Sequence, residues 1–276
     1  MSYAYIDGLK LAYICQGKGF PIIFIHGYGG NKEFWSPQII DISKFFKTIA
    51  FDIRGTGESD RPNIPYTMNM LADDVLGLMT YLDITKAHII GRSFGGMIAQ
   101  NFVLKYPQKV EKLVLIATNY GKSDTEWVNL IQNSNLERIQ LLRKDPYLAF
   151  KQEARLVYHV KFRKEMEENP KKKIFNLFSM EDLIKSTTIN PPRTQDVINQ
   201  ANAMKTHYTL EKLAEIKHKT LLIAASHDRL IPLSVMQEIN NLIPNSFLKV
   251  IQNSGHFMTQ SKAPEVNKIL IEFLNS

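Results

Sequence analysis

The chain has 276 residues and only one cysteine, Cys15. An internal disulfide and a cysteine-built metal cluster are therefore excluded, and a reducing compartment such as the cytoplasm is the expected setting. No stretch approaches the roughly 18 apolar residues needed to span a bilayer. The first residues, MSYAYIDGLKLAYI, lack the basic start and unbroken apolar run of a signal peptide. The composition also lacks the bias of disordered chains, with hydrophobic residues at 44% and charged residues at 22%. Such a chain folds around a sizeable core.

Concentrated basic charge is missing as well. The net charge is +7, yet residues 120–215 hold 16 lysines and arginines against 13 acids. The one dense basic run, Lys171-Lys172-Lys173, follows Glu165, Glu167 and Glu168. Charge spread in this way describes a solvated surface, so neither nucleic acid nor a membrane is an expected partner.

What is present is an alternation of short apolar runs with helix-period segments. Residues 9–15, 22–25, 48–51, 87–90 and 110–117 read as strands, and 68–82 and 95–106 as helices. Unbroken apolar strands alternating with helices indicate an α/β fold with a mostly parallel sheet covered on both faces. Between about 119 and 192 strand-type sequence disappears, and charged helical segments such as 134–143 and 147–164 follow one another. Strands return at 220–225 and 247–251, with helices at 235–242 and 264–274. The expected organisation is a core of residues 1–118 and 193–276 carrying a helical cap at 119–192.

Gly91-Arg92-Ser93-Phe94-Gly95-Gly96 lies directly between the strand ending in His88-Ile89-Ile90 and a helix. A serine on so sharp a turn is held with its hydroxyl exposed, and glycines two residues to either side let strand and helix pass closely. A serine hydroxyl needs a base in hydrogen-bond reach and a carboxylate to orient that base. His256, in a loop just beyond the last strand, is the expected base, and Asp228, just after the strand at 220–225, the expected acid. An acid after the earlier strand at 110–117 is the alternative, but Asn119 there is neutral and Asp124 lies further into the insertion. His88, His159, His207 and His218 read as surface or packing residues, and His227 as a loop residue.

An oxyanion needs N–H donors as well. The N–H of Phe94 follows the nucleophile, and the glycine-flanked turn His26-Gly27-Tyr28-Gly29-Gly30 offers the N–H of Tyr28. His26 is expected to brace that turn. The stretch Asp52-Ile53-Arg54-Gly55-Thr56-Gly57-Glu58-Ser59 reads as a loop held by Asp52 and Arg54.

Taken in order, HGYGG at 26–30, DIRGTGES at 52–59, GRSFGG at 91–96, Asp228 with Ile231-Pro232 following, and Gly255-His256 resemble the α/β-hydrolase superfamily along nearly the whole chain. The resemblance implies an eight-stranded sheet, a helical cap over its carboxyl edge, no cofactor and no metal, and Ser93, Asp228 and His256 as triad. Within the superfamily the chain looks like the group holding carboxylesterases, cofactor-free haloperoxidases, enol-lactonases and carbon-carbon bond hydrolases. Relatives that attack with aspartate are set apart by Ser93. The expected function is hydrolysis of a small carboxylic ester through an acyl-enzyme; a lactonase, a carbon-carbon hydrolase or a hydrolase-derived small-molecule sensor are the alternatives. Two departures stand out. The acid loop reads Ser-His-Asp where a glycine is common, and Arg92 puts a large cation inside the elbow, where a surface or cap ion pair is its expected use and a substrate carboxylate the alternative.

Overall fold

The structure is a computed structural model that describes residues 2–121 and 125–276. Its elements are β1 (Ser2–Ile6), β2 (Leu9–Gln16), β3 (Pro21–Ile25), α1 (Ser36–Ile42), β4 (Lys47–Phe51), α2 (Met68–Tyr81), β5 (Ala87–Arg92), α3 (Phe94–Lys105) and β6 (Val110–Ile116). A helical segment follows: α4 (Glu126–Lys144), α5 (Pro146–Val157), α6 (Val160–Glu168), α7 (Met180–Thr188) and α8 (Thr194–Lys205). The chain ends with β7 (Lys219–Ala225), α9 (Leu233–Leu242), β8 (Ser246–Ile251), α10 (Met258–Ser261) and α11 (Ala263–Asn275).

The eight strands form one sheet in the order β1-β2-β4-β3-β5-β6-β7-β8. β1 and β2 pair antiparallel, as do β2 and β4, and every other pair is parallel. Alternation along the strands divides the core. Ile23, Ile25, Ile89, Leu113 and Leu115 face α2, α3 and α9, whereas Ile22, Phe24, Ile90, Val114 and Ile116 face α1 and α11. Covering both faces is what makes these strands unbroken apolar runs. α2 presents Leu71, Val75, Leu78 and Met79 to the first layer, and Thr67 caps it by accepting the N–H of Met70 at 3.2 Å.

The expected strands and core helices match observed ones to within a residue or two. The segment 147–164 differs, because it breaks into α5 and α6 with Tyr158 and His159 extended between them. The carbonyl of Val157 there accepts the N–H of Phe257 at 3.0 Å instead of continuing a helix. β1, for which the sequence holds no apolar run, is set by the turn at Asp7 and Gly8, whose φ values of 48° and 80° suit a tight hairpin.

The helices between β6 and β7 run past residue 192. α8 lies on α4 and also sends Ala201, Ala203 and Met204 into the main core. α5, α6 and the start of α7 build a separate small core from Phe150, Val157, Tyr158, Phe162, Phe178 and Met180. Among the described residues no helix is long and apolar enough to cross a membrane.

Candidate active site

The chain enters the site region at the carboxyl ends of β3 and β5, neighbours at the point where strand order reverses and where α/β sheets open a crevice. Ser93 stands between β5 and α3 with φ 54° and ψ −119°, a conformation that costs an L-residue on the order of 1–3 kcal/mol and persists only when its surroundings enforce it. Here they do. The Ser93 N–H donates to Ile116 O at 2.8 Å, and its carbonyl accepts from Gly96 N at 2.8 Å and from the Thr118 hydroxyl at 2.7 Å. A methyl group on Gly95 would lie 2.1 Å from Ile25 O, and one on Gly91 2.2 Å from Gly95 O. Only glycine lets strand, turn and helix cross so closely.

Asp228 and His256 come together from the ends of β7 and β8. His256 Nδ1 lies 2.8 Å from Asp228 Oδ2, with both side chains almost wholly buried. The other carboxylate oxygen accepts the N–H groups of Leu230 and Ile231 at 2.8 and 2.9 Å. Burial by itself would raise the Asp228 pKa, but the facing histidine and these two N–H groups outweigh it and hold the carboxyl below its ordinary value. With Nδ1 tied to the carboxylate, Nε2 is the nitrogen left for other work. Ser93 and His256 line the same cavity, of about 520 Å³, together with Tyr28 and Phe94.

The loop after β3 is fixed from several sides. His26 is fully buried; its Nε2 accepts the N–H of Ile53 at 3.1 Å, so Nδ1 carries the proton and donates to Gly27 O at 2.8 Å. Burial lowers its pKa to about 4, which keeps the ring neutral. The Tyr28 hydroxyl donates to Val197 O at 2.7 Å, and Gly29 N donates to the Gln200 side chain at 3.1 Å. α8 thus clamps this loop, a connection invisible at a separation of 169 residues. Among the described residues neither the Tyr28 nor the Phe94 N–H has a partner.

Other expectations resolve differently. Among the described residues Arg92 makes no ion pair: it is 4% exposed, its guanidinium carbon sits 4.1 Å from the Phe34 ring centre and 4.3 Å from that of Phe257, and it lines the cavity. The side chain that follows Gly91 points inward from the elbow, toward the cavity rather than the outer surface. Arg54 does hold its loop, through Asp74 at 2.6 and 2.5 Å, while Asp52 is engaged by Lys32. His88 and His207 are buried, His227 is exposed and meets His159 edge to face at 4.7 Å, and Asn119 O accepts from His207. Asp124 lies outside the described residues. Of the aromatics between β6 and β7, Phe150, Phe162 and Phe178 belong to one buried cluster, and Tyr147 and Phe175 are exposed. No group of three His, Cys, Asp or Glu side chains among the described residues is arranged to hold a metal.

Comparison with known proteins agrees with the architecture. Residues 21–260 match the family described as alpha/beta hydrolase fold. A RutD protein of Caulobacter segnis, named for carbamate hydrolysis, is 27% identical over 92% of this chain and 90% of its own. A 2-hydroxy-6-oxononadienedioate/2-hydroxy-6-oxononatrienedioate hydrolase of Burkholderia vietnamiensis is 28% identical over 96% of this chain and 91% of its own. The enol-lactonase of Burkholderia xenovorans LB400 superposes with a TM-score of 0.83 over the full length of both chains at 21% identity, a likeness of fold alone.

Proposed function

Since the chain belongs to the alpha/beta hydrolase family, we propose that it is a serine hydrolase in which Ser93 attacks, His256 moves the proton, Asp228 orients His256, and the N–H groups of Tyr28 and Phe94 hold the oxyanion. The observation that carries this reading is the buried Asp228–His256 pair at 2.8 Å, opening on the cavity that Ser93 lines from its enforced turn. His256 Nε2 takes the Ser93 proton as Oγ bonds to the carbonyl carbon, and the negative charge forming on the carbonyl oxygen meets two N–H groups already in place. Collapse expels the leaving group, which collects the proton from His256. Water then enters, gives its proton to the same nitrogen, and releases the acid and the free serine.

A small carboxylic ester is the substrate class that this reading favours, with residues 119–192 acting as a cap that limits the acyl pocket. No cofactor is required, since each proton and electron pair is carried by the three side chains. Cleavage of a lactone, a carbamate or a carbon-carbon bond next to a ketone is the second reading, favoured by the names of the relatives and by the same attack on a carbonyl. The single cysteine suits a cytoplasmic enzyme. A fluorophosphonate probe and a panel of nitrophenyl esters, lactones, carbamates and a ring-cleavage diketone test both readings. Stoichiometric labelling of Ser93, with turnover lowered at least about 10⁴-fold by Ser93→Ala, is expected. Labelling at another residue, or full activity in that variant, would overturn the assignment.

A further inference from the structure

Among the described residues two lysine or arginine side chains are buried, Lys32 and Arg92. Lys32 is held by Asp52, and the half-buried Arg54, Arg61 and Arg138 are held by Asp74, Asp196 and Glu153. Arg92 is buried as deeply as Lys32, yet among the described residues it makes neither an ion pair nor a hydrogen bond, and its Nε is shut off from solvent without an acceptor. A buried charge without a partner is costly and is not retained without a use. The Phe34 and Phe257 ring centres lie 4.1 and 4.3 Å from the guanidinium carbon and 5.1 Å from each other, so both rings pack on the same side of the cation. The cavity that Arg92 lines is open to an anion, which a guanidinium holds best along its edge, in the plane where paired N–H groups match a carboxylate.

The position of that edge is defined by Gly27. A methyl group built there would lie 3.4 Å from Arg92 Nη1 and 3.4 Å from the Ser93 Cβ, so the two atoms are separated by no more than twice that distance. Nearby acids are already engaged. Asp228 serves His256 and two backbone N–H groups, and Glu153 pairs with Arg138 at 3.5 Å. Burial lowers the Arg92 pKa to about 10, still a cation at neutral pH.

We propose that Arg92 binds a carboxylate on the substrate, a short chain away from the carbonyl that Ser93 attacks, so that the enzyme selects monoesters of small dicarboxylic acids or esters of small hydroxy acids over neutral esters of the same shape. This rests on the serine hydrolase reading for its chemistry, whereas the binding itself does not. Two substrate pairs separate the possible positions of the carboxylate. 4-Nitrophenyl hemiglutarate against 4-nitrophenyl pentanoate places it on the acyl side, and 3-carboxypropyl butyrate against butyl butyrate places it on the alcohol side. One charged member should be favoured at least about tenfold in kcat/KM, with the preference lost in Arg92→Met and partly kept in Arg92→Lys, because a bidentate pair to guanidinium is worth more than a point charge. A preference for the neutral ester in both pairs, or one unchanged in Arg92→Met, would overturn the proposal while leaving the hydrolase reading intact. Calorimetry of glutarate with Ser93→Ala, which reports without turnover, should show binding that Arg92→Met in the same background abolishes; glutarate that fails to bind, or binds equally without Arg92, overturns it as well. If glutarate binds through Arg92 and no ester is cleaved, the hydrolase reading fails and the carboxylate site stands.

Discussion

The carboxylate of Asp52 receives the backbone N–H of Lys32 at 2.7 Å and its ammonium at 2.9 Å, with both side chains shielded from solvent. Burial would lower the lysine pKa, but Asp52 outweighs it and holds the ammonium above its ordinary range. Glu58 N also donates to Asp52, at 2.9 Å, so one carboxylate joins the loops that follow β3 and β4.

Removing one partner of such a pair leaves the other charge buried and uncompensated, at about 3–5 kcal/mol. Lys32→Met should therefore lower the stability by that order in urea denaturation, and Asp52→Asn less, because the amide oxygen can still accept one of the N–H groups. A Lys32→Met midpoint equal to that of the wild type would show that water reaches the pair.

Asp228→Asn should bind substrate but turn it over about 10³-fold to 10⁴-fold more slowly. The amide cannot stabilise the imidazolium and can present its own N–H to Nδ1, which forces the proton onto Nε2. The KM-against-kcat split decides this: a rise in KM with kcat unchanged would remove Asp228 from the chemistry.

A methyl group at Gly95 has no room, with Ile25 O and His26 O at 2.1 and 2.5 Å from it. Gly95→Ala must push α3 away from β3 and shift the N–H of Phe94 with it. We expect reduced thermal stability together with slower fluorophosphonate labelling of Ser93, and labelling at the wild-type rate would show that the elbow yields without moving the nucleophile.

The parallel strands and the elbow were legible because their signals are local. An unbroken apolar run needs burial on both faces, and a serine flanked by glycines between strand and helix has few other uses. β1 left no such trace, since only Ala4 in it is buried and Tyr3 and Tyr5 are exposed. α1 hid for the opposite reason. Its Gln38 looks like a surface residue but is fully buried and donates to Thr259 O and Asn267, partners more than two hundred residues away. The inward direction of Arg92 was equally illegible, because it depends on Phe34 and Phe257 arriving from distant segments.

His26 and His207 make the protein acid-sensitive. Each is fully buried, and desolvation lowers each pKa from 6.5 to about 4. His207 Nδ1 accepts from Asn101 at 2.9 Å while Nε2 donates to Asn119 O at 3.1 Å, which leaves no place for a second proton. As the pH falls below 6.5 the unfolded chain takes up two protons that the native state refuses until about 4, so stability is complete above 6.5 and is lost across that window. Each proton contributes about 1.4 kcal/mol per pH unit, and unfolding free energies at pH 6 and pH 5 should differ by about 2 kcal/mol from these two residues. His207→Gln should flatten the slope; a slope unchanged in that variant would place the titration elsewhere.

The cavity sets a limit on acyl length. Trp127, Ile131, Phe150, Phe178 and Leu183 from the helices between β6 and β7 line it together with Phe34 and Met97, which offers apolar surface to an unbranched acyl chain whose carbonyl carbon is bonded to Ser93 Oγ. Each buried methylene contributes up to about 0.8 kcal/mol, close to fourfold in kcat/KM per carbon. That gain continues only while the chain fits inside about 520 Å³. Neutral nitrophenyl esters should therefore improve from acetyl to butyryl or hexanoyl and decline toward dodecanoyl. Because Phe150 and Phe178 also belong to the small core that α5, α6 and α7 build, shortening one of them should loosen those helices as well as enlarge the pocket, and Phe178→Ala should move the optimum to longer chains. A maximum at acetyl, or no dependence on length from two to twelve carbons, would mean that the acyl chain lies outside this cavity.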